Sequence, residues 1–254
     1  MITIKVSSKE FQTYISSILN VDRSGVTLKI FPSYIEALVL SEDNSSIILY
    51  TKLNILEING LEAEEMEIHL KDLTKFQRLL DMNEDETFTF TIKDNHVYYE
   101  NSTVKGAKFM LADRASRVIN ARVNVSWFNS FVKKSRMKID KATIKKVIQC
   151  SSFTSDDANK VYLYQDGNKV VAEINDRTKN NLDTMSIYIG ELEDGSLDGK
   201  VIVNVGTLSR LFLSDEMILE TSTIGQGVSQ TEIVFLSFTN DNVSVRYLLN
   251  TLRS

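Results

Sequence analysis

Four short amphipathic stretches are set into a chain that otherwise alternates polar and apolar residues. They are SKEFQTYISSILN (8–20), DLTKFQRLLDM (72–82), DKATIKKVIQCSS (140–152) and VGTLSRLFLS (205–214). Their apolar residues recur every three to four positions, which is the period of a helix lying on a core. The rest of the pattern has a period of two. In the first half it gives GVTLKIF (25–31), YIEALVLS (34–41), SSIILYTKL (45–53), TFTFTI (87–92) and VYYE (97–100). In the second half it gives KVYLYQ (160–165), KVVAEIN (169–175), TMSIYIG (184–190), KVIVNV (200–205), MILETS (217–222), EIVFLSF (232–238) and VSVRYLL (243–249). Such runs are half-buried antiparallel strands, and DGN between the first two of the second half is a hairpin turn. Two helices fall in each half, and each is followed by strands. The chain therefore reads as an α+β protein built from helix-then-strands used four times.

The helices of the two halves can be superposed in type. TKFQRLL (74–80) matches GTLSRLF (206–212), with Phe76 against Leu208, Arg78 against Arg210, Leu79 against Leu211 and Leu80 against Phe212. EFQTYI (10–15) matches TIKKVI (143–148), with Phe11 against Ile144, Tyr14 against Val147 and Ile15 against Ile148. The repeated order of elements is the stronger signal, because short amphipathic helices agree often.

Charge follows the elements. The formal net charge is −5, yet the outer faces of all four helices are basic or neutral. At about 100° per residue, Lys146 lies opposite the Ile144, Val147 and Ile148 stripe, flanked by Lys145 and Gln149. Arg78 projects with Lys75 and Thr74, Arg210 projects from the fourth helix, and Lys9, Gln12, Thr13 and Ser16 from the first. Glu10, Asp72 and Asp140 sit at helix starts, where the macrodipole favours them. The remaining acids gather in GLEAEEMEI (60–68), MNEDE (82–86) and GELEDGSLDG (190–199), read as connections. Lysines on a solvated helix face are ordinary; one sign on four helices of an acidic chain is not.

The sequence offers little chemistry. It has one cysteine, Cys150, and two histidines, His69 and His96, in strand-like contexts. That leaves no metal-ligand spacing, so neither a metal nor a cofactor is expected. No phosphate-binding glycine loop, nucleophile elbow or dinucleotide fingerprint occurs. Glu84, Asp85 and Glu86 read as a solvated loop. An enzyme is not expected. No apolar run approaches the roughly 18 residues of a membrane span, and MITIKVSSKEF lacks the long apolar stretch of a secretory signal. The lone cysteine fits a reducing cytoplasm, the host's if the chain is viral.

Four helix-plus-strands units in two similar halves, with basic helices and acidic surroundings, resemble the sliding DNA clamps. This is the family of the proliferating cell nuclear antigen and of the clamps of T4-like bacteriophages. ALVLSEDNSSIILYTKL (37–53) is similar to a strand–turn–strand of the nuclear antigen's first domain. IHLKDLTKFQRLLDMNEDETFTFTIKDNHVYYENSTVKGAKFMLAD (68–113) resembles the helix and hairpins of a phage clamp. KVYLYQDGNKVVAEINDRTKNN (160–181) is similar to second-domain hairpins. The resemblance covers most of the chain, and its motifs are diffuse. It implies an N-terminal clamp domain at 1–117, a connector at 118–137 and a C-terminal clamp domain at 138–254. Each domain would be two helices backed by antiparallel sheets. Clamps close a ring from six such domains, so two per chain imply a homotrimer.

On this resemblance Lys9, Gln12, Lys75, Arg78, Lys145, Lys146, Gln149 and Arg210 would face encircled duplex DNA without reading its sequence. The chain would be a processivity factor in DNA replication, a polymerase accessory protein whose partners are DNA polymerase and a clamp loader. Partner peptides would insert beneath the connector, with Leu40, Ile47, Val123, Val125, Leu249 and Leu252 as candidate pocket residues. Each of these also reads as core, and Trp127 reads either as a connector anchor or as core. The connector departs from the family pattern: it carries Arg114, Arg117 and Arg122 nearby, has no proline, and Glu42 stands where apolar residues often line the pocket. Two other readings stay open: a non-enzymatic viral structural or assembly protein, and a monomeric clamp-like processivity subunit. A structural protein has no need of four basic helix faces.

Overall fold

The computed structural model describes residues 1–41, 46–114, 123–154, 160–174, 184–197, 201–225 and 231–251. The backbone gathers into two compact units: Met1–Phe128 with Thr239–Val245, and Asn129–Phe238 with Arg246–Ser254.

The first unit contains, in order, β1 (Ile2–Ser7), α1 (Ser8–Leu19), β2 (Gly25–Ile30), β3 (Tyr34–Leu40), β4 (Ile47–Asn54), β5 (Glu57–Asn59), β6 (Met66–Lys71), α2 (Leu73–Asp81), β7 (Thr87–Lys93), β8 (His96–Tyr99) and β9 (Ala107–Met110). A short α3 (Val125–Asn129) ends it. The strands form two sheets, β5-β1-β7-β8-β9 and β4-β3-β2-β6. A bridge between His69 and Ala112 links the end of β6 to the residues after β9. Val243–Val245 belong to this unit and run beside β4, where the Thr51 hydroxyl donates to the Ser244 carbonyl at 3.1 Å.

α1 buries Phe11, Tyr14, Ile15 and Ile18, and α2 buries Leu73, Phe76, Leu79 and Leu80. The two helices pack against each other, with Phe11 at the centre. Its ring lies 6.1 Å from that of Phe76, 5.5 Å from Phe88 and 5.8 Å from Phe90. Aromatic pairs at such separations add about 0.5–1.5 kcal/mol each beyond area burial. Asp72 starts α2 with φ 53°, its carboxylate accepting the Lys75 N–H at 3.1 Å.

One buried polar residue ties the helix ends together. The Asn83 amide donates to the Ser8 hydroxyl at 2.6 Å and to the Asp85 carbonyl at 2.9 Å, and its oxygen accepts from the Tyr99 hydroxyl at 2.6 Å. Asn83→Ala removes these bonds and strands the Tyr99 hydroxyl, whose burial without a partner is costly. The expected loss is about 2–4 kcal/mol, read as a lower urea midpoint at unchanged slope.

The second unit contains β10 (Ser135–Asp140), α4 (Lys141–Thr154), β11 (Lys160–Asp166), β12 (Lys169–Ile174), β13 (Met185–Gly195), β14 (Val201–Asn204), α5 (Val205–Leu211), β15 (Glu216–Ile224), β16 (Thr231–Thr239) and β17 (Val243–Asn250), the last crossing from the first unit. Their sheet order is β14-β11-β12-β13-β10-β15-β16-β17. α4 and α5 pack together. They bury Ile144 and Val147 from one helix, and Val205, Leu208 and Leu211 from the other. Ile148, expected in the apolar stripe, is half-buried. The order strand, helix, strands, helix, strands is common to both units.

β13 pairs with β12 through Met185–Glu191 and then with β10 through Leu192–Gly195. At this corner a Cβ on Gly190 would come within 2.7 Å of the Met137 methyl and 3.0 Å of the Lys138 carbonyl. Only glycine lets the two strands approach so closely.

Several elements differ from the sequence reading. The acidic run at 60–68 gives up Met66, Glu67 and Ile68 to β6, and Glu191–Gly195 of the run at 190–199 extend β13. There the acids face solvent while alternate residues such as Ile68 and Leu192 are buried, so a strand tolerates them. Within the expected connector 118–137, α3 occupies Val125–Asn129 and β10 already begins at Ser135; the compact units divide between Phe128 and Asn129. Residues 118–122 of that connector lie outside the described residues.

Candidate nucleic-acid interface

Each helix exposes the face opposite its buried stripe. Lys9, Lys75, Arg78, Lys145, Lys146, Gln149 and Arg210 are all exposed, and Gln12 is half-buried. In the first unit the packed pair α1 and α2 carries Lys9, Gln12, Lys75 and Arg78. In the second, α4 and α5 carry Lys145, Lys146, Gln149 and Arg210.

Some cations on the sheets are paired: Lys29 with Glu67 at 3.3 Å, Arg136 with Glu193 at 3.2 Å, and Lys138 with Glu216 at 3.4 Å. Others, such as Lys5, Lys71, Lys108 and Lys160, form no ion pair among the described residues. Among the described residues, none of Lys9, Lys75, Arg78, Lys145, Lys146 and Arg210 forms an ion pair.

The acids near the helices are mostly held at their N-termini. The Asp140 carboxylate accepts the Thr143 N–H at 2.6 Å, Asp72 caps α2, and Glu10 accepts from the Ser7 hydroxyl. α4 and α5 contain no acidic residue. The first unit is more mixed, since Asp81 ends α2 and Lys9 and Gln12 share a shallow cleft with Asp85 and Glu86. Unpaired ammonium and guanidinium groups offer only donors, which suit phosphate oxygens and read no base sequence.

The candidate peptide-pocket residues separate by burial. Ile47 is 1 % and Leu249 2 % exposed, so both are core residues on alternating strands. A charge placed at either would test folding rather than partner binding. Leu40, Val123 and Val125 are half-exposed in the first unit, and Trp127 is half-buried on α3. Leu252, Glu42, Arg117 and Arg122 lie outside the described residues, and Arg114 is exposed. Among the described residues no group of three or more His, Cys, Asp or Glu is arranged to hold a metal ion. Among them, too, no helix is long and apolar enough to cross a membrane.

Two open strand edges went unmarked in the sequence. β9 pairs only with β8, and the Met185–Gly190 stretch of β13 pairs only with β12 among the described residues. Both edges carry exposed apolar side chains: Met110, 51 % exposed, on β9, and Tyr188, 59 % exposed, on β13. β4 holds the same place in the first unit's order as β13 in the second, and it is paired on both sides, by β3 and by Val243–Val245. The apolar residues of AKFM and MSIYI alternate as in any covered strand, so the sequence contains no sign that these edges are bare.

No protein-family model matches the sequence, and no curated protein does. Solved structures do match, along the whole chain. The PCNA (proliferating cell nuclear antigen) of Thermococcus kodakaraensis aligns with a TM-score of 0.73 at 15 % identity, over 99 % of this chain and all of its own. The A. fulgidus PCNA, solved with the C-terminal region of FEN-1 bound, aligns with a TM-score of 0.71 at 12 % identity, over 100 % and 99 %. A putative DNA polymerase III beta subunit from Eubacterium rectale aligns with a TM-score of 0.69 at 12 % identity, over 99 % of this chain and 66 % of its own. At such low identity the likeness is one of architecture, and the architecture is that of the sliding DNA clamps.

Proposed function

We propose that this protein is a sliding clamp, which encircles duplex DNA as a homotrimer and tethers a DNA polymerase without catalysing a reaction itself. The observation that carries the reading is the exposed cationic face, without ion pairs among the described residues, on all four helices of a chain whose formal net charge is −5. Contacts of this kind hold phosphates non-specifically and weaken with salt, which suits a protein that must move along DNA.

The open edges support closure. β4 is completed by residues from the last strand of the chain, while among the described residues its counterpart β13 lacks such a neighbour over Met185–Gly190 and β9 has a free side. β9 of one copy laid against β13 of the next fills both edges and makes a head-to-tail contact, which closes into a ring when the rotation permits. A loader would open that ring. Leu40, Val123 and Val125 are the half-exposed candidates for a partner peptide, as the FEN-1 segment is for the A. fulgidus protein.

The test is topological. In solution the mass should be near three times 28.8 kDa. Protein loaded onto a nicked circle should stay bound through a high-salt wash, and should leave when the circle is linearised and the ends freed. Equal loss from circular and linear DNA would overturn encirclement and favour a monomeric processivity subunit.

A further inference from the structure

Residues 131–134 lie as a strap on the second unit's sheet. The Ser222 hydroxyl donates to the Val132 carbonyl at 2.6 Å, and the Lys134 N–H donates to the Thr221 carbonyl at 2.9 Å. The Phe131 ring sits 5.6 Å from the ring of Phe235, itself fully buried. Between these anchors Lys133 is folded inward. Its Nζ stands 2.9 Å from the Phe235 ring centroid and is out of reach of solvent, while Val132 beside it is 82 % exposed.

A second cation shares this seat. Arg246 on β17 also lies over the Phe235 ring, 4.6 Å from its centroid. Glu220 on β15 is 3.6 Å from the Lys133 Nζ, too long for a hydrogen bond, and it is shared with Arg136 on β10 at 3.4 Å. Arg136 in turn contacts Glu193 on β13. β16 brings the uncharged Phe235 ring to this point. An ammonium needs three acceptors and here meets a ring, a carboxylate shared with Arg136 and a competing guanidinium.

We propose that the strap seats most firmly on this sheet when Lys133 has given up its proton to solvent, so that protonation loosens the strap. Burial, and then the charge of Arg246, lower the Lys133 ammonium from its ordinary value to about 7, against the opposing pull of Glu220. Released, the side chain returns to the ordinary lysine value of about 10.5. A group whose folded value is depressed in this way favours the seated state increasingly as pH rises from 7 towards 10.5. The seated-to-released ratio grows by up to about tenfold per pH unit in that window and is flat below it, where both states carry the proton. Near neutral pH the strap is thus held at its weakest.

The experiment uses the full chain with V132C and C150S, carrying a trifluoromethyl label at position 132, followed by fluorine NMR from pH 6 to 9.5. Lysine Cε shifts are recorded in parallel. The label should move from a released to a seated signal as pH rises, in step with one lysine titrating near 7 that disappears in Lys133→Met. Lys133→Met should hold the label at the seated signal at every pH. Lys133→Arg, which keeps its charge, should hold it at the released one. Titration of Lys133 alongside the exposed lysines, or a label profile unchanged in both variants, would overturn the proposal.

Discussion

Exchanging Lys146, Arg78 and Arg210 for glutamate is expected to abolish stimulation of long DNA synthesis while leaving a folded protein of unchanged mass. Each change reverses the sign at an exposed helix position and shifts the charge by two units, so a chain with all three shifts by six. The three sites lie on α4, α2 and α5, covering both units. Every phosphate that the helices no longer neutralise lowers the slope of log affinity against log salt by about 0.9. Retention on DNA at physiological salt should therefore fall steeply and depend less on salt. Folding should change little, because exposed substitutions away from special features usually fall within about 0.5 kcal/mol. The readouts are product length in primer extension and retention on circular DNA across a salt series. Wild-type processivity in the triple variant would remove the helices from DNA binding and favour the structural-protein reading.

Glutamate at both Met110 and Tyr188 is expected to convert the proposed trimer into monomers of 28.8 kDa. The two residues sit on the two open edges, so a head-to-tail contact brings the new charges together at every junction. Like charges facing each other across paired strands destabilise the pairing, and these edges have only a few residues over which to recover the loss. Both side chains are more than half exposed in the single chain, so the monomer should keep its fold. Light scattering at micromolar concentration separates the outcomes, and an intact trimer would mean that assembly uses other surfaces.

Much of the fold is legible in periodicity, because burial on one side is what periodicity records. Phe11, Tyr14, Ile15 and Ile18 recur at helical spacing and are buried together; Phe88, Phe90 and Ile92 alternate and are buried on one face. The same geometry puts Arg78 and Lys146 on exposed faces, where they lie. The misses share a cause. Glu67 and Glu193 make their segments look like loops, yet strand residues that point to solvent carry charge freely, and both acids pair with neighbouring cations. Ile47 and Leu249 alternate as any inward strand residue does, and nothing local separates a peptide pocket from a core. The bare edges of β9 and β13 are invisible in the sequence because an edge is a property of the partner strand. The surroundings of Lys133 depend on Glu220, Phe235 and Arg246, which come together only in the folded unit.

The exposed, unpaired cations of the four helices have a thermodynamic side. Like charges without partners on packed helices repel one another, so the free protein carries a self-repulsion that a neutral face would not have. A polyanion that binds there relieves the repulsion in the folded state alone, and folding and occupancy become linked. Exposed like charges on the helices thus give up intrinsic stability, and a polyanion bound across them would restore it.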